Sequence, residues 1–303
     1  MHDRALPAAK PDGAVIFDSH CHAWRRWPYD ARVPDPNHRG SIGGLLYELD
    51  AAGVDRAAVV CARIGAGSLA NDDNNDYVAA AACRHPDRLV VMADVDSRWL
   101  PEHHTPGAAD RLRGAAERYE LTAFTHYVHD EDDGWFGSDD GAEFFGTAAD
   151  LGLVASLSVS PSWFPAVGAV AAGNPTLPIL LHHLGHLRLD DPAFGAARAG
   201  LLALADRPNV MVKVSGFHYL TTPSWGFPYP DVCERVLRPI AHAFGPHRLA
   251  WGSDFPVARQ HVSYAQSLAM VRDHTPWWTD AERALVLGGS LGRVGLDGPH
   301  RSP

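Results

Sequence analysis

Lysine is almost missing from this chain of 303 residues, where only Lys10 and Lys213 occur. Arginine carries nearly all the positive charge, and the net charge is −10. No basic stripe is available to meet phosphates, so a nucleic-acid partner is not expected. Cysteine is also scarce. Cys21, Cys61, Cys83 and Cys233 show no short paired spacing, which argues against a disulfide framework or a zinc finger. Three of them stand in apolar or alanine-rich surroundings and read as small buried residues. No apolar run approaches the ~20 residues that span a bilayer. The opening MHDRALPAAKPDG has no apolar stretch of the signal-peptide kind. The expectation is a cytoplasmic protein with a small-molecule substrate and no membrane partner, as a monomer or a homodimer.

Histidine, by contrast, is abundant, with 18 copies. Short apolar runs alternate with alanine-rich helical stretches. Strands are expected at 14–20, 56–62, 88–95, 121–128, 153–160, 177–183, 209–215 and 248–254. Helices are expected near 41–53, 73–85, 106–119, 141–151, 162–173, 192–206, 231–244 and 260–273, with a closing helix at 279–288. Several strands are nearly continuous Val/Ile/Leu/Ala runs, which suits parallel strands buried on both faces. Eight strand–helix units predict an α/β protein with a single-domain (β/α)8 TIM-type barrel. A doubly wound open sheet would show a glycine-rich phosphate turn after the first strand, where this chain has HCHAW. With no linker or internal repeat, the barrel is expected to span 13–295, between a flexible tail at 1–12 and a C-terminal tail at 296–303.

Active sites of such barrels form at the C-terminal strand ends. There the chain places Asp18, His20 and His22 (first strand), Arg63 (second), His126 and Tyr127 (fourth), His182-His183-Leu184-Gly185-His186 (sixth) and Ser253-Asp254 (eighth). Residues i and i+2 of a strand share a face, so the rings of His20 and His22, ~6–7 Å apart along the strand, can converge on one ion or one polarised oxygen. At ILLHHLGH, one of His182 and His183 should face the interior; alternation alone does not choose. His186 reads as a loop residue. Asp254 can orient a water, take its proton or bind a cation; before Phe-Pro it can also simply shape a turn.

These segments, FDSHCH (17–22), LHHLGH (181–186), VKVSG (212–216) and RLAWGSDFPV (248–257), together resemble the amidohydrolase-related branch of the amidohydrolase superfamily. That branch includes lactonases and aromatic-acid decarboxylases. The resemblance implies a (β/α)8 barrel, a metal-binding set of His20, His22 and Asp254, and His183 as the inward histidine of the sixth strand. Two departures stand out. The fifth strand carries Ser156, Ser158 and Ser160 where metal-dependent members often have a histidine ligand, and Gly289-Ser290 replaces an asparagine-bearing turn. Binuclear members bridge two metals through a carboxylated lysine on the fourth strand. LTAFTHYV has none, so the resemblance points to one divalent metal, Zn²⁺ first, or to none, without a lysine-bridged binuclear centre.

The expected function is hydrolysis of a lactone or other ester-like bond in a small carboxylate or cyclic substrate. Asp254 is expected as general base and His183 as a catalytic partner; His20, His22 and His183 would polarise the carbonyl directly or through the metal. Arg63, His126, Arg188 and Arg259 are candidates to meet a substrate carboxylate, with Tyr127 beside them. The aromatic stretch Tyr219–Tyr229 is expected to cover the pocket, with Trp225 facing inward. The acidic loop HDEDDGWFGSDDG is expected to be solvated, with Trp135 able to reach the mouth. The alternatives are a metal-dependent nonoxidative decarboxylase of an aromatic or enol acid, and an inactive barrel used as a binding protein.

Overall fold

The computed structural model describes residues 15–30 and 32–296. The expected N-terminal tail and residues 297–303 lie outside them. Eight parallel strands form one sheet in sequential order: β1 Phe17–Cys21, β2 Arg56–Val60, β3 Leu89–Asp94, β4 Ala123–Tyr127, β5 Val154–Ser158, β6 Ile179–Leu181, β7 Val210–Val214 and β8 Leu249–Trp251. Around it lie α1 Ile42–Ala52, α2 Asn74–Arg84, α3 Ala108–Tyr119, α4 Asp139–Asp150, α5 Phe164–Gly173, α6 Phe194–Ala203, then α7 Pro230–Val232 and α8 Arg238–Phe244 joined by a wide turn, α9 Tyr264–Arg272 and α10 Asp280–Ala284. The expected (β/α)8 barrel is therefore what the chain forms. Helix starts are set locally: Ser263 with Gln266, and Thr279 with Glu282, form capping boxes that satisfy free amide donors.

Alternation sorts the strand side chains into two layers. Phe17, Val60, Met92, Ala123, Val154, Leu180, Met211 and Ala250 fill the lumen, closed from below by Leu291 and Leu296. The burial of Leu296 brings the start of the expected C-terminal tail into the barrel floor. Cys21, Val59, Phe124, Leu157, Leu181 and Val212 instead face the helices. Each buried large aliphatic side chain contributes roughly 1.5–3 kcal/mol, so both layers hold the strand ends firmly.

The seam between β1 and β8 closes differently from the other strand pairs. The backbone N–H of Asp254 donates to the carbonyl of His20 (2.8 Å), and that of His22 to the carbonyl of Phe255 (2.6 Å). The buried Asp18 carboxylate accepts from the Ser253 N–H (2.9 Å) and from the Tyr264 hydroxyl (2.8 Å). Gly252 is required there, because a Cβ would lie 2.6 Å from that of His20. A register shift between Asp18 and Cys21 bulges β1. Phe17 faces the lumen and Cys21 the helices, although plain alternation over four residues would put them together. The bulge thus turns His20 and His22 inward, a re-aiming that bulges commonly perform beside active sites.

Candidate active site

Asp254 lies at the centre of the upper lumen, fully buried. Its Oδ1 is 3.5 Å from His22 Nε2, 3.6 Å from His20 Nε2 and 3.9 Å from His183 Nε2. Its Oδ2 is 3.6 Å from His218 Nε2. Most of these separations are too long for good hydrogen bonds. Both Asp254 oxygens, His20 Nε2 and His218 Nε2 are buried without a hydrogen-bond partner. His22 Nδ1 bonds to the Val60 carbonyl at 2.7 Å; a carbonyl only accepts, so Nδ1 carries a proton and Nε2 is the nitrogen turned toward the carboxylate. A ring nitrogen and a carboxylate facing each other in a dry site share a positive charge, which a proton or a metal ion can supply. The separations are also near the roughly 3.3–3.4 Å between two ligand atoms of one tetrahedral zinc. His20, His22 and Asp254 therefore fit a divalent cation.

Electrostatics point the same way. Burial pushes the rings of His20, His182 and His183 well below the ordinary histidine range, so they are neutral at neutral pH. Burial works against the Asp254 anion, but in acid, where these rings take up protons, charge on His183, a hydrogen bond from His22 and charge on His218 outweigh it and hold the carboxyl at about 2. The site is one fixed negative charge ringed by imidazoles.

Left-handed backbone at the strand ends makes this geometry. Asp254 has φ +55°, and His183, Leu184, Gly185 and His186 have φ of +47°, +53°, +70° and +52°. Left-handed residues other than glycine cost roughly 1–2 kcal/mol each, an outlay concentrated where these rings are aimed. The left-handed turn also corrects the expectation that only one of His182 and His183 faces inward. Leu180 faces the lumen, so His182 follows it in by alternation. His183 begins the turn and swings back in, with its ring 4.4 Å from that of His20. A Cβ on Gly216 would fall 2.5 Å from His183 Nδ1, so glycine leaves the room the ring needs. His183 Nδ1 is held by the Ser215 hydroxyl at 3.0 Å.

Beneath the histidines, the serines of β5 form a network. Ser156 Oγ bonds His182 Nε2 (2.7 Å) and accepts from Lys213 Nζ (2.6 Å), which also lies 3.2 Å from His20 Nδ1. Ser158 bonds His186 at 3.3 Å. Burial lowers the Lys213 ammonium to about 7. Lys213 sits under the site on β7, a placement that scanning strand ends misses. His218 was also missed, although the same rule applied just beyond β7 would have found it.

On the far side of His218 from Asp254 opens a cleft of about 1190 Å³, lined among others by Arg98, His186, Arg188, His218, Tyr219 and Trp225. Tyr127 faces the lumen, its ring 5.3 Å from His182. Several expected substrate contacts are corrected. Arg188 lines the cleft and so does Arg98, which sequence reading missed, but Arg63 does not: its Nε donates to the Asp72 carbonyl, directing the guanidinium along the adjoining loop. Arg259 lies over the Phe255 ring instead. His126 points outward because it alternates with lumen-facing Tyr127, and it packs against Phe144 of α4. Trp225 is on the rim and 72% exposed, so Tyr219 is the inner aromatic. Trp135 is buried against His104 and is not at the mouth.

Comparison with known proteins agrees. A family model described as amidohydrolase matches residues 17–289. An L-fucono-1,5-lactonase of Burkholderia multivorans is 30% identical, over 93% of this chain and 96% of its own. An amidohydrolase of the same species, solved with bound zinc, is 25% identical over 93% of this chain and 99% of that one, with a TM-score of 0.72. The 2,6-dihydroxybenzoate decarboxylase of Rhizobium, 15% identical over 94% of this chain and 99% of that one, shares the fold with a TM-score of 0.62. Among the described residues, no helix is long and apolar enough to cross a membrane. The chain belongs to the amidohydrolase family and is an enzyme of the hydrolase type.

Proposed function

We propose that this enzyme hydrolyses a lactone of a small polar acid, a sugar-acid lactone being the class that the curated relative suggests. One observation carries the reading: an ionised, buried Asp254 whose two oxygens face different partners. Oδ1 looks toward His20, His22 and His183, the side on which His20, His22 and Asp254 would hold one divalent metal such as Zn²⁺. Bound there, the metal would supply Lewis acidity toward a carbonyl and a lowered pKa for a water. Oδ2 looks toward His218, which lines the cleft, and is assigned to take a proton from a water admitted past that ring. A carboxyl held near 2 keeps a proton only briefly. Neutral His218, itself lowered by burial to about 4, is 3.6 Å away to relay it toward the leaving oxygen.

His183 presents Nε2 to the same space with its other nitrogen held by Ser215, and is assigned to polarise the carbonyl as charge develops on oxygen. Arg98 and Arg188 on the cleft wall are the guanidinium groups placed to meet a carboxylate or a polyhydroxy edge of the substrate. The test is Asp254→Asn assayed on a panel of sugar-acid and other small lactones, alongside metal analysis. Losing the base is expected to lower kcat by about 10²–10⁴. Full activity in the variant would remove Asp254 from its role. Turnover of hydroxybenzoic acids with no lactone hydrolysis would transfer the protein to the decarboxylases.

A further inference from the structure

A second histidine cluster lies outside the lumen, where the loop following β3 meets the outer face of β4. His103, His104 and His126 bring one ring nitrogen each to within 4.8 Å of one another. His126 is fully buried, and His104 is stacked on Trp135 with centroids 4.1 Å apart. All three rings are anchored the same way. His126 Nδ1 is 3.0 Å from the Val95 carbonyl, His103 Nδ1 is 2.6 Å from the Asp96 carbonyl, and His104 Nδ1 is 2.6 Å from Asp133 Oδ2. Each of these partners only accepts, so each Nδ1 carries the proton and each Nε2 is left with a lone pair. His104 Nε2 and His126 Nε2 then face each other at 3.2 Å, acceptor to acceptor. The third such atom, His103 Nε2, is buried with no partner.

A histidine whose outer nitrogen donates to a carbonyl or carboxylate while the inner one points at its neighbours is the arrangement that orients imidazoles for a metal. The 3.2 Å separation is also close to the roughly 3.3–3.4 Å spanned by two nitrogens on one tetrahedral zinc. His104 adopts φ +53°, the left-handed turn that lets adjacent residues bring their rings side by side, 3.7 Å apart. We propose that His103, His104 and His126 form a second, structural Zn²⁺ site, with Asp133 orienting His104. Imidazole-only ligation suits zinc and the neighbouring transition metals and disfavours magnesium and calcium. The remaining coordination position falls to water or to His129, whose ring is 5.3 Å from that of His103. The site joins the loops after β3 and β4, the same loops that carry Arg98 and Asp130 to the cleft wall. It would therefore stiffen one side of the substrate opening without touching the substrate.

The test uses the full chain. In the His20→Asn/His22→Asn/Asp254→Asn variant, which breaks both groups of lumen side chains that could hold an ion, zinc is expected to remain at one ion per chain after exhaustive dialysis. Adding His104→Asn should abolish it. On its own, Asp133→Asn should weaken zinc binding at this site by about 10–100-fold, with unchanged far-UV circular dichroism and unchanged lactone turnover. Cobalt loaded into the lumen variant should give tetrahedral visible absorption that is lost with His104. A lumen variant that takes up no zinc would overturn the proposal in favour of a proton shared between His104 and His126. Zinc uptake insensitive to both His104→Asn and Asp133→Asn would also overturn it. Failure of the lumen site alone, with one ion retained by the wild-type chain at His104, would count against the active-site metal and leave this site standing.

Discussion

Two groups of histidines sit about one barrel wall apart, each gathered near an aspartate, and they differ in what surrounds them. Around Asp254, four imidazoles converge from β1 and from the turns after β6 and β7, beside an open cleft. Around His126, the rings pack against Trp135, Phe136 and Phe144, with Asp133 holding one of them from outside and with His103 and His104 only half-buried. Similar side chains thus serve opposite ends depending on which face of the strand carries them. The first group adjoins the cleft through His218 and is proposed for turnover; the second lines no such cleft and is proposed as a clasp.

The sharpest way to break this contrast is to remove single rings, beginning with two neighbours in the lumen. His183→Asn is expected to lower kcat by about 10²–10³ with little change in Tm, because it removes a donor from the reacting space. His182→Asn, one position away, should disturb the Ser156 and Lys213 network and cost far less turnover. Equal losses in steady-state assays would mean that the two rings share one role.

Acid should act on both groups at once. His186 and His218 are lowered to about 4, as is His104, and His126 to about 3, in each case chiefly by burial. As the pH falls through 6.5, the unfolded chain takes up protons that the folded chain refuses, so stability is lost from there down toward 4. Asp18 and Asp94, raised by burial to about 6, work in the opposite sense, since the folded state protonates them first. Histidines outnumber them, at about 1.4 kcal/mol per group and pH unit. Melting curves should therefore show Tm dropping by several degrees between pH 7 and 5; a flat profile would contradict the burial assigned to these rings.

Smaller effects separate the two regions further. His126→Asn leaves the buried Val95 carbonyl without its partner, a loss of about 1–3 kcal/mol in denaturant unfolding. Its kcat should stay near that of the wild type, and a large fall in kcat at unchanged stability would return His126 to the substrate. Trp225→Ala, on the exposed rim, should raise KM a few-fold at most; a change in kcat of tenfold would make it a true cover.

The barrel and most of the lumen group were legible because they depend on local patterns. Buried parallel strands announce themselves as apolar runs, and histidines at strand ends follow from the architecture. Residue-by-residue facing was harder. A bulge in β1 and left-handed turns after β6 and β8 change which way a side chain points, and none of these follows from simple alternation. Nothing in LTAFTHYV marks the lumen side of β4, so the sequence offers both His126 and Tyr127 as substrate contacts, and only the structure turns His126 outward. Lys213 went unassigned because it stands before its strand end, and Arg98 because the loop after β3 carries no motif.

The seam between the first and last strands carries a further consequence. Ser253 and Asp18 are joined across 235 positions of sequence, and the same joint brings the proposed base beside its two nearest imidazoles. A ribosome must therefore finish almost the whole polypeptide before any reactive centre exists. Assembly and competence arrive in one event, and a chain that stalls midway has no chemistry to misdirect.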